Sequence, residues 1–235
     1  MQHLAHDVRY TIRSLVRVPV LSATIVLTVG LGLGATAAMI GAVWAVLVNP
    51  LPYADPGSLV WLYTDSPPNK WRFSVVDYRA LEADHPAFDA VAAYQGSLVT
   101  VTDRAMAERV TAKTVTGSYF PLLRQKPYLG RLFDSSDDAH RDRLAVLTHS
   151  YWTRRFAADP GVLGRPISID GVDHVVVGVL EKTAGPLERN VALFTAEHWP
   201  TPKRKGPFFT TAIARLKPGV AASVASEALR TTNTY

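Results

Sequence analysis

The chain has 235 residues, of which 48% are hydrophobic and 19% are charged, and its formal net charge is +5. This mild positive excess argues against a nucleic-acid-binding protein, which normally carries a dense basic patch with interleaved aromatic residues. The chain has no cysteine, so disulfide bonds and thiolate metal sites are excluded.

The N-terminal segment, residues 1–17, is predicted to form an amphipathic helix on the cytoplasmic surface of a membrane. Arg9, Arg13 and Arg17 lie on one arc of that helix, from which their guanidinium groups reach anionic headgroups. A neighbouring arc is apolar and consists of Leu4, Val8, Ile12 and Leu15. An ordinary short helix ahead of a membrane span is the alternative interpretation.

Residues 18–49 are predicted to form a transmembrane helix. Residues 20–48 are all apolar or small, and no charged residue occurs from Val18 to Ala54. A bilayer core requires about 20 such residues in helical form. Pro19 fits the first helical turn, where its missing N–H group is not needed, and Pro50 follows the end of the run.

The flanks of this span predict its orientation. Three arginines precede it and no basic residue follows until Lys70, so the positive-inside rule places residues 50–235 outside the cytoplasm. A cleaved signal peptide is the alternative, because residues 35–37 read Ala-Thr-Ala. The apolar run continues well past that sequence, which favours a retained anchor.

The glycines inside the span allow two interpretations. Residues 30–35 match the G-x-G-x-x-A dinucleotide fingerprint, and Asp55 lies at the spacing where that motif places an acidic residue. The fingerprint requires a preceding strand and a soluble βαβ unit, whereas these glycines lie in a charge-free run. We therefore predict no cofactor site, and instead a small-residue face for helix packing formed by Gly30, Gly34 and Ala38.

After the span, short strands alternate with a few helices, which predicts an α+β domain. Ser74 and Asp77 stand in capping-box spacing at the start of a helix, and Asp170-Gly171 between β-forming residues predicts a type I′ hairpin. Ser150 is predicted to cap a further helix that carries Trp152. The other predicted elements are strands at 59–63, 90–94, 97–102, 109–116, 144–147 and 208–216 and a helix at 220–230.

Sequence motifs for catalysis are missing. The chain contains no G-x-S-x-G, no H-E-x-x-H and no P-loop motif, so we predict neither an enzyme nor a cofactor. One acidic stretch has the composition of a cation site but lacks EF-hand spacing. We predict that it is a solvated loop without metal; its residues are Asp134, Asp137, Asp138, His140 and Asp142.

The order of short motifs resembles that in bacterial ABC-transporter permeases of the macrolide-exporter type. These permeases have a MacB-like periplasmic core domain and an FtsX-like membrane domain. The matching stretches, which extend over nearly the whole chain, are 7–15, 31–35, 49–53, 117–120, 129–133, 145–147, 151–156, 159–165, 169–171, 176–179 and 214–220.

The resemblance implies a fold class and a division into domains. One N-terminal transmembrane helix leads into an extracytoplasmic α+β domain, residues 50–235. A porter-like βαβ subdomain, at about 59–116 and 208–235, is split by a β-rich insertion at about 117–207.

The resemblance also implies a function. The chain would be a permease component in the bacterial inner membrane that couples ATP hydrolysis by a partner ABC ATPase to its periplasmic domain, for efflux or mechanotransmission. Its partners would be the lipid bilayer, a second permease chain and a periplasmic adaptor. Family members continue into three more membrane helices, so we expect this chain, which stops at Tyr235, to be a fragment. The alternative is a single-pass anchored interaction or sensor domain without transport activity.

Overall fold

The computed structural model describes residues 18–44, 53–66, 68–84, 86–103, 106–139, 143–182 and 185–232. Two compact units divide the chain, Met1–Pro50 and Leu51–Tyr235. The predicted cytoplasmic segment 1–17, with Arg9, Arg13 and Arg17, lies outside the described residues, as does the predicted end of the span at 45–49.

The first unit contributes one long helix, α1, Pro19–Val43. Apolar residues lie on all sides of α1 instead of on one stripe, which is the pattern of a helix surrounded by apolar solvent. Pro19 occupies the first turn, as predicted. With 25 residues and a rise of about 1.5 Å per residue, α1 is about 37 Å long, enough to cross a bilayer core of about 30 Å.

The second unit is a mixed α+β domain. Its strands are β1 Leu59–Leu62, β2 Thr64–Ser66, β3 Asn69–Trp71, β4 Phe73–Ser74, β5 Phe88–Asp103, β6 Met106–Val115, β7 Pro127–Gly130, β8 Leu144–Leu147, β9 Pro166–Ile169, β10 Val172–Leu180, β11 Leu193–Ala196 and β12 Phe208–Leu216. Its helices are α2 Val75–Ala83, α3 Tyr119–Leu123, α4 Ser135–Ala139, α5 His149–Phe156 and α6 Ala222–Thr232. Short 3₁₀ turns occur at Pro56–Ser58, Pro160–Val162 and Pro186–Glu188.

One part of the domain is a layer of antiparallel strands in the order β1–β12–β5, covered by α2 and α6. The two helices share one buried cluster with the strands, to which α2 contributes Tyr78 and α6 contributes Ala225. Ser74 caps α2 by accepting a hydrogen bond from the backbone N–H of Asp77 at 3.1 Å, which confirms the predicted cap. This cap sets where the helix begins, and therefore which of its faces meets the strands.

The other part is a closed ring of strands in the order β5–β6–β11–β8–β10–β9. The last strand pairs back to the first, with Ile169 opposite Val101. The strand β5 belongs to both parts, because its first half pairs with β12 and its second half with β6. Closing a sheet in this way removes the free strand edges that otherwise invite aggregation. We call this ring the barrel.

The helix α5 packs against the barrel core. Tyr151, Trp152 and Phe156 belong to the same buried cluster as the valines, leucines and isoleucines of the barrel strands. Burying each of these rings contributes roughly 2–3 kcal/mol. The cap of α5 was predicted wrongly: Thr148, not Ser150, accepts the hydrogen bond from the backbone of Tyr151.

The predicted hairpin turn at Asp170-Gly171 is confirmed. Both residues have positive φ, 50° and 80°, and Ile169 pairs with Val172 across the turn. The carboxylate of Asp170 also accepts a hydrogen bond from the backbone N–H of Thr100 at 2.7 Å. The turn therefore ties β9 and β10 to β5 at the point where the barrel closes.

Candidate functional site: the membrane span and the entry to the outer domain

The helix α1 has the composition of a membrane span. Its stretch Pro19–Gly41 has a mean hydropathy of 1.9, and none of the other described residues covers its side chains. Its polar groups are satisfied within the helix, since Thr24, Thr28 and Thr36 each donate a hydroxyl hydrogen bond to the carbonyl four residues earlier, at 2.8–2.9 Å. Such internal pairing allows hydroxyl side chains in a segment without water.

The glycines of α1 lie within the helix and not at a strand-to-helix turn, which is inconsistent with the dinucleotide fingerprint. A Cβ atom added at Gly30 or Gly34 would meet no atom within 4 Å. Ala38 lies on the same exposed face. This face is therefore open in the described structure, and its use for helix packing remains a proposal.

The outer domain begins with a segment, residues 53–58, that we call the entry segment. Its first residue, Tyr53, is only 7% exposed and belongs to the buried cluster around α3. The Tyr53 hydroxyl donates to Glu188 Oε2 at 2.7 Å and accepts from the backbone N–H of Leu187 at 3.0 Å. The polypeptide is thus held at its entry by the 3₁₀ turn that precedes β11.

Glu188 is the buried centre of this contact, with 2% of its surface exposed. Its second carboxylate oxygen accepts a hydrogen bond from the Tyr119 hydroxyl at 3.3 Å. Burial, and then the negative charge of Glu188, raise the pKa values of Tyr53 and Tyr119 above their ordinary range, so both hydroxyls stay protonated and able to donate.

Lys113 on β6 supplies the cation near Glu188. Its ammonium donates to the carbonyl of Leu187 and stands 4.1 Å from the centre of the Tyr94 ring. Burial lowers its pKa to about 8, and the attraction of Glu188 opposes that change. The entry contact is therefore a small network of buried polar groups linked to the barrel through β6.

The other end of the entry segment is held by Arg215 on β12. Arg215 is 2% exposed, and its Nη1 donates to the carbonyl of Asp55 at 3.1 Å and to the Ser58 hydroxyl at 2.6 Å. Its Nε donates to the carbonyl of Leu122 at 2.9 Å. Burial lowers the pKa of this guanidinium. One end of the entry segment is thus bound to the turn beside the barrel, and the other to the helix-covered layer.

A second polar contact joins the two parts of the domain. Arg79 on α2 pairs with Glu82 at 2.8 Å on its own helix and with the buried Glu197, which follows β11. Asp138 on α4 accepts a hydrogen bond from the backbone N–H of Gly117 at 2.8 Å. Burial, followed by the nearby charge of Glu197, raises the pKa of Asp138 to about 6.

The acidic stretch was predicted to be a solvated loop, and this prediction is wrong for its described part. Asp137 is buried in α4 and forms a two-point ion pair with Arg131, each contact at 2.7 Å. Asp134 accepts a hydrogen bond from the backbone of Ser136. His140 and Asp142 lie outside the described residues. Across the described residues, no group of three or more His, Asp or Glu side chains is placed to hold a metal ion.

Sequence reasoning did not identify Tyr53, Glu188 or Arg215 as partners. The signal for Arg215 was a single charged residue in the strand Phe208–Leu216, since such a charge is buried only when it is paired. For Tyr53 the signal was a large aromatic residue directly after the proline-rich end of the span. Neither signal indicates which residue is the partner, because Glu188 and Asp55 lie more than a hundred residues away from Tyr53 and Arg215, respectively.

Comparison with known structures shows the same fold. The periplasmic region of MacB from Actinobacillus actinomycetemcomitans aligns with a TM-score of 0.57 and 15% identity, covering 74% of this chain and 81% of that one. A domain from Porphyromonas gingivalis, described as that of a permease protein, aligns with a TM-score of 0.61 and 14% identity, covering 77% of this chain and 84% of that one. The extracellular domain of the noncanonic ABC-type transporter YknZ from Gram-positive bacteria aligns with a TM-score of 0.53 and 15% identity, covering 74% of this chain and 94% of that one. These identities establish similarity of fold alone.

No curated protein matches the chain. The family model for the MacB-like periplasmic core domain matches residues 22–232, which includes nearly all of α1 and the whole described outer domain. Members of this family are membrane-anchored components of ABC permeases with a periplasmic domain, as the motif order predicted. The chain, with one apolar N-terminal helix followed by a sheet-rich α+β domain, belongs to the MacB-like periplasmic core domain family.

Proposed function

We propose that this chain is a permease component of an ABC transport system that couples ATP hydrolysis by a partner ATPase to movement of its periplasmic domain. The observation that carries the proposal is the double attachment of the entry segment. Tyr53 attaches it to the turn beside the barrel, and Arg215 attaches it to the layer of β1, β12 and β5.

The attachment is suited to transmitting movement. A displacement of the entry segment cannot be absorbed locally, because breaking either contact leaves a buried polar group without its partner. Each such loss costs about 1–3 kcal/mol. Movement arriving from the membrane side is therefore passed on to both parts of the domain, and the shared strand β5 keeps those parts connected.

The membrane arrangement is part of the same proposal. The basic residues Arg9, Arg13 and Arg17 lie on the cytoplasmic side of the bacterial inner membrane, and residues 50–235 lie outside. The face of Gly30, Gly34 and Ala38 packs against another membrane helix. A second permease chain and a periplasmic adaptor are the further partners. The family's ABC permease character supports these assignments.

The described residues contain one candidate span, which does not by itself line a transport path, so further membrane helices are needed to complete the transporter. The domain division belongs to the proposal as well, with porter-like stretches at about 59–116 and 208–235 and an insertion at about 117–207. The helix-covered layer of β1, β12 and the first half of β5 supports a porter-like unit.

The experiment is to purify the full chain from its host membrane under mild detergent and to identify the proteins that accompany it. We expect an ABC ATPase whose ATP hydrolysis changes on association, and whose coupling is reduced by the variant Tyr53→Phe but not by the exposed-site variant Tyr128→Phe. If no ATPase accompanies the chain and only periplasmic proteins bind, the result would instead support a single-pass anchored interaction or sensor domain. A cytoplasm-only fluorescent reporter fused after Tyr235 checks the orientation, and we expect it to remain dark.

A further inference from the structure

The strands β2 and β3 form a hairpin of their own. They pair with each other and with no other strand among the described residues. In this pairing Thr64 lies opposite Trp71, and Asp65 lies opposite Lys70. A lone two-stranded hairpin is at best marginally stable in water, and it gains stability when another surface covers it. The hairpin therefore calls for a further partner surface.

Both faces of the hairpin expose an aromatic ring. On one face, the Lys70 ammonium lies 4.2 Å from the centre of the Tyr63 ring and donates to its hydroxyl at 2.8 Å. Trp71 follows Lys70 in β3 and therefore points to the other face. Tyr63 is 46% exposed and Trp71 is 52% exposed. A hairpin that packed on a protein surface would cover one of these rings and leave the other in solvent.

The charges around the rings are mainly basic. Lys70 and Arg72 are both exposed, whereas the acidic residue of the hairpin, Asp65, lies opposite Lys70. The loop Lys203-Arg204-Lys205 adds further basic residues beside the hairpin, because its Lys205 lines the same groove as Asp65. Lys205 itself pairs with Asp77 at 3.0 Å. The surface around the hairpin is thus aromatic and net positive.

This combination of residues fits the boundary between lipid headgroups and hydrocarbon. Tyr and Trp are enriched there, because the apolar ring meets the acyl chains while the hydroxyl or indole N–H reaches polar groups. Lysine and arginine beside them place their charge among anionic headgroups. Pro67 and Pro68, which connect the two strands, have no backbone N–H group that would need a partner. A bilayer surface can also cover both faces of the hairpin at once.

We propose that the hairpin β2–β3 binds the surface of a lipid bilayer with anionic headgroups and inserts Tyr63 and Trp71 at the interface. Residues 45–52 are the whole connection in the chain between the described part of α1 and the entry segment. Fully extended, this connection reaches about 30 Å, so a bilayer spanned by α1 lies within reach of the outer domain. The proposal rests on the membrane anchoring proposed above, but not on ATP coupling or transport.

The test uses the full chain reconstituted into lipid nanodiscs that contain phosphatidylglycerol. Because the chain has no cysteine, the variants Asn69→Cys, in the hairpin, and Asp173→Cys, at an exposed position of the barrel, each carry one nitroxide label at a known place. Electron paramagnetic resonance measures the access of oxygen, which concentrates in lipid, and of a nickel chelate, which stays in water. We expect nickel to reach the label at position 69 several-fold less than the label at position 173, and oxygen to reach it more.

A first pair of variants tests the rings. Tyr63→Ser combined with Trp71→Ser should return the label at position 69 to water, because the apolar surface that enters the interface is lost. Tyr128→Ser removes a 58% exposed ring of the barrel strand β7 and should leave the label protected. Circular dichroism verifies that these variants fold.

A second pair of variants tests the charges. Lys70→Gln combined with Arg72→Gln should weaken protection of the label, and so should replacing phosphatidylglycerol by phosphatidylcholine in the nanodisc. Arg109→Gln combined with Arg154→Gln changes the charge equally at exposed positions of the barrel unit and should have no effect. Protection that is the same in both lipids would overturn the assignment to anionic headgroups.

The remaining outcomes separate this proposal from the anchoring on which it rests. A label at position 69 that stays in water, while the chain remains in the nanodisc, would overturn the hairpin contact and leave the anchoring intact. Failure of the folded chain to enter nanodiscs would overturn both. Protection that requires two chains in one nanodisc would show a second copy as the partner surface and would also overturn the proposal.

Discussion

The hydroxyl of Tyr53 donates a hydrogen bond to Glu188 across a sequence separation of 135 residues. Tyr53 is the first described residue of the outer domain, and Glu188 lies at the end of the turn that leads toward β11. This contact and the contacts of Arg215 hold the entry segment, residues 53–58, against the rest of its domain. The contribution of these contacts to the free energy of unfolding can be measured separately from any transport activity.

We expect Tyr53→Phe to lower the free energy of unfolding by about 1–3 kcal/mol. The ring still fills its site, but Glu188 and the N–H of Leu187 each lose a buried partner. Denaturant unfolding of the full chain, followed by circular dichroism, measures the change. Tyr128→Phe removes a hydroxyl from an exposed ring and should alter stability by less than about 0.5 kcal/mol. Equal effects of the two variants would contradict the assigned role of Tyr53.

Gly185→Ala should destabilise the domain by about 1–3 kcal/mol through overpacking. A Cβ atom at this position would lie 2.2 Å from atoms of the Tyr53 ring, which cannot withdraw without breaking its bond to Glu188. The matched variant Gly96→Ala adds a Cβ where no atom lies within 4 Å and should be nearly neutral. In the double variant with Tyr53→Ala, the cost of Gly185→Ala should largely disappear. Simple additivity would show that the two residues do not touch.

Arg215→Met should lower the free energy of unfolding by about 2–4 kcal/mol, because the carbonyls of Asp55 and Leu122 lose a charged donor. It should also speed proteolytic cleavage within the entry segment, residues 53–58, under conditions where the rest of the domain stays intact. Arg204→Met, in an exposed loop, is the control and should change neither quantity. Unchanged cleavage in Arg215→Met would mean that Arg215 does not hold the segment.

Asp138 should make stability depend on pH between about 4 and 6. Its pKa in the folded state is raised to about 6, mainly by burial, and the charges of Glu197 and Glu82 add to the rise. The hydrogen bond from the backbone N–H of Gly117 and the charge of Arg79 oppose it. Since the folded state binds the proton more tightly than the unfolded state, the contribution of Asp138 to stability is highest below about pH 4 and falls as the pH rises toward 6. We expect this fall to be about 1–2 kcal/mol after allowance for partial exposure.

The variant Asp138→Asn should flatten that part of the pH profile, measured as the denaturant midpoint at pH 4, 5, 6 and 7. The amide keeps an acceptor for the N–H of Gly117 but does not titrate. Asp173→Asn, at an exposed position, should leave the profile as it is in the unsubstituted chain. A profile that Asp138→Asn does not change would exclude Asp138 as its source.

Features with short-range causes were predictable. The cap at Ser74 depends on a neighbour three residues away, and the turn at Asp170-Gly171 depends on two residues that accept positive φ. The cap at Thr148 was missed because two hydroxyl residues, Thr148 and Ser150, stand close together, and only the extended backbone of Thr148 decides between them. The buried pair of Asp137 and Arg131 was missed because burial depends on what packs above a segment, which composition does not reveal.

By itself, the sequence determined the long apolar N-terminal helix, the α+β class of the domain that follows it and, through the order of its motifs, the family. Each of these depends on local composition or on patterns only a few residues long. The tertiary structure alone decided that β9 closes the barrel onto β5, that Tyr53 meets Glu188, and that Arg215 holds Asp55. These contacts join residues far apart in the chain. Which residues meet in these contacts depends on the path of the whole backbone and on the free-energy cost of leaving buried polar groups unpaired. No short stretch of sequence contains that information.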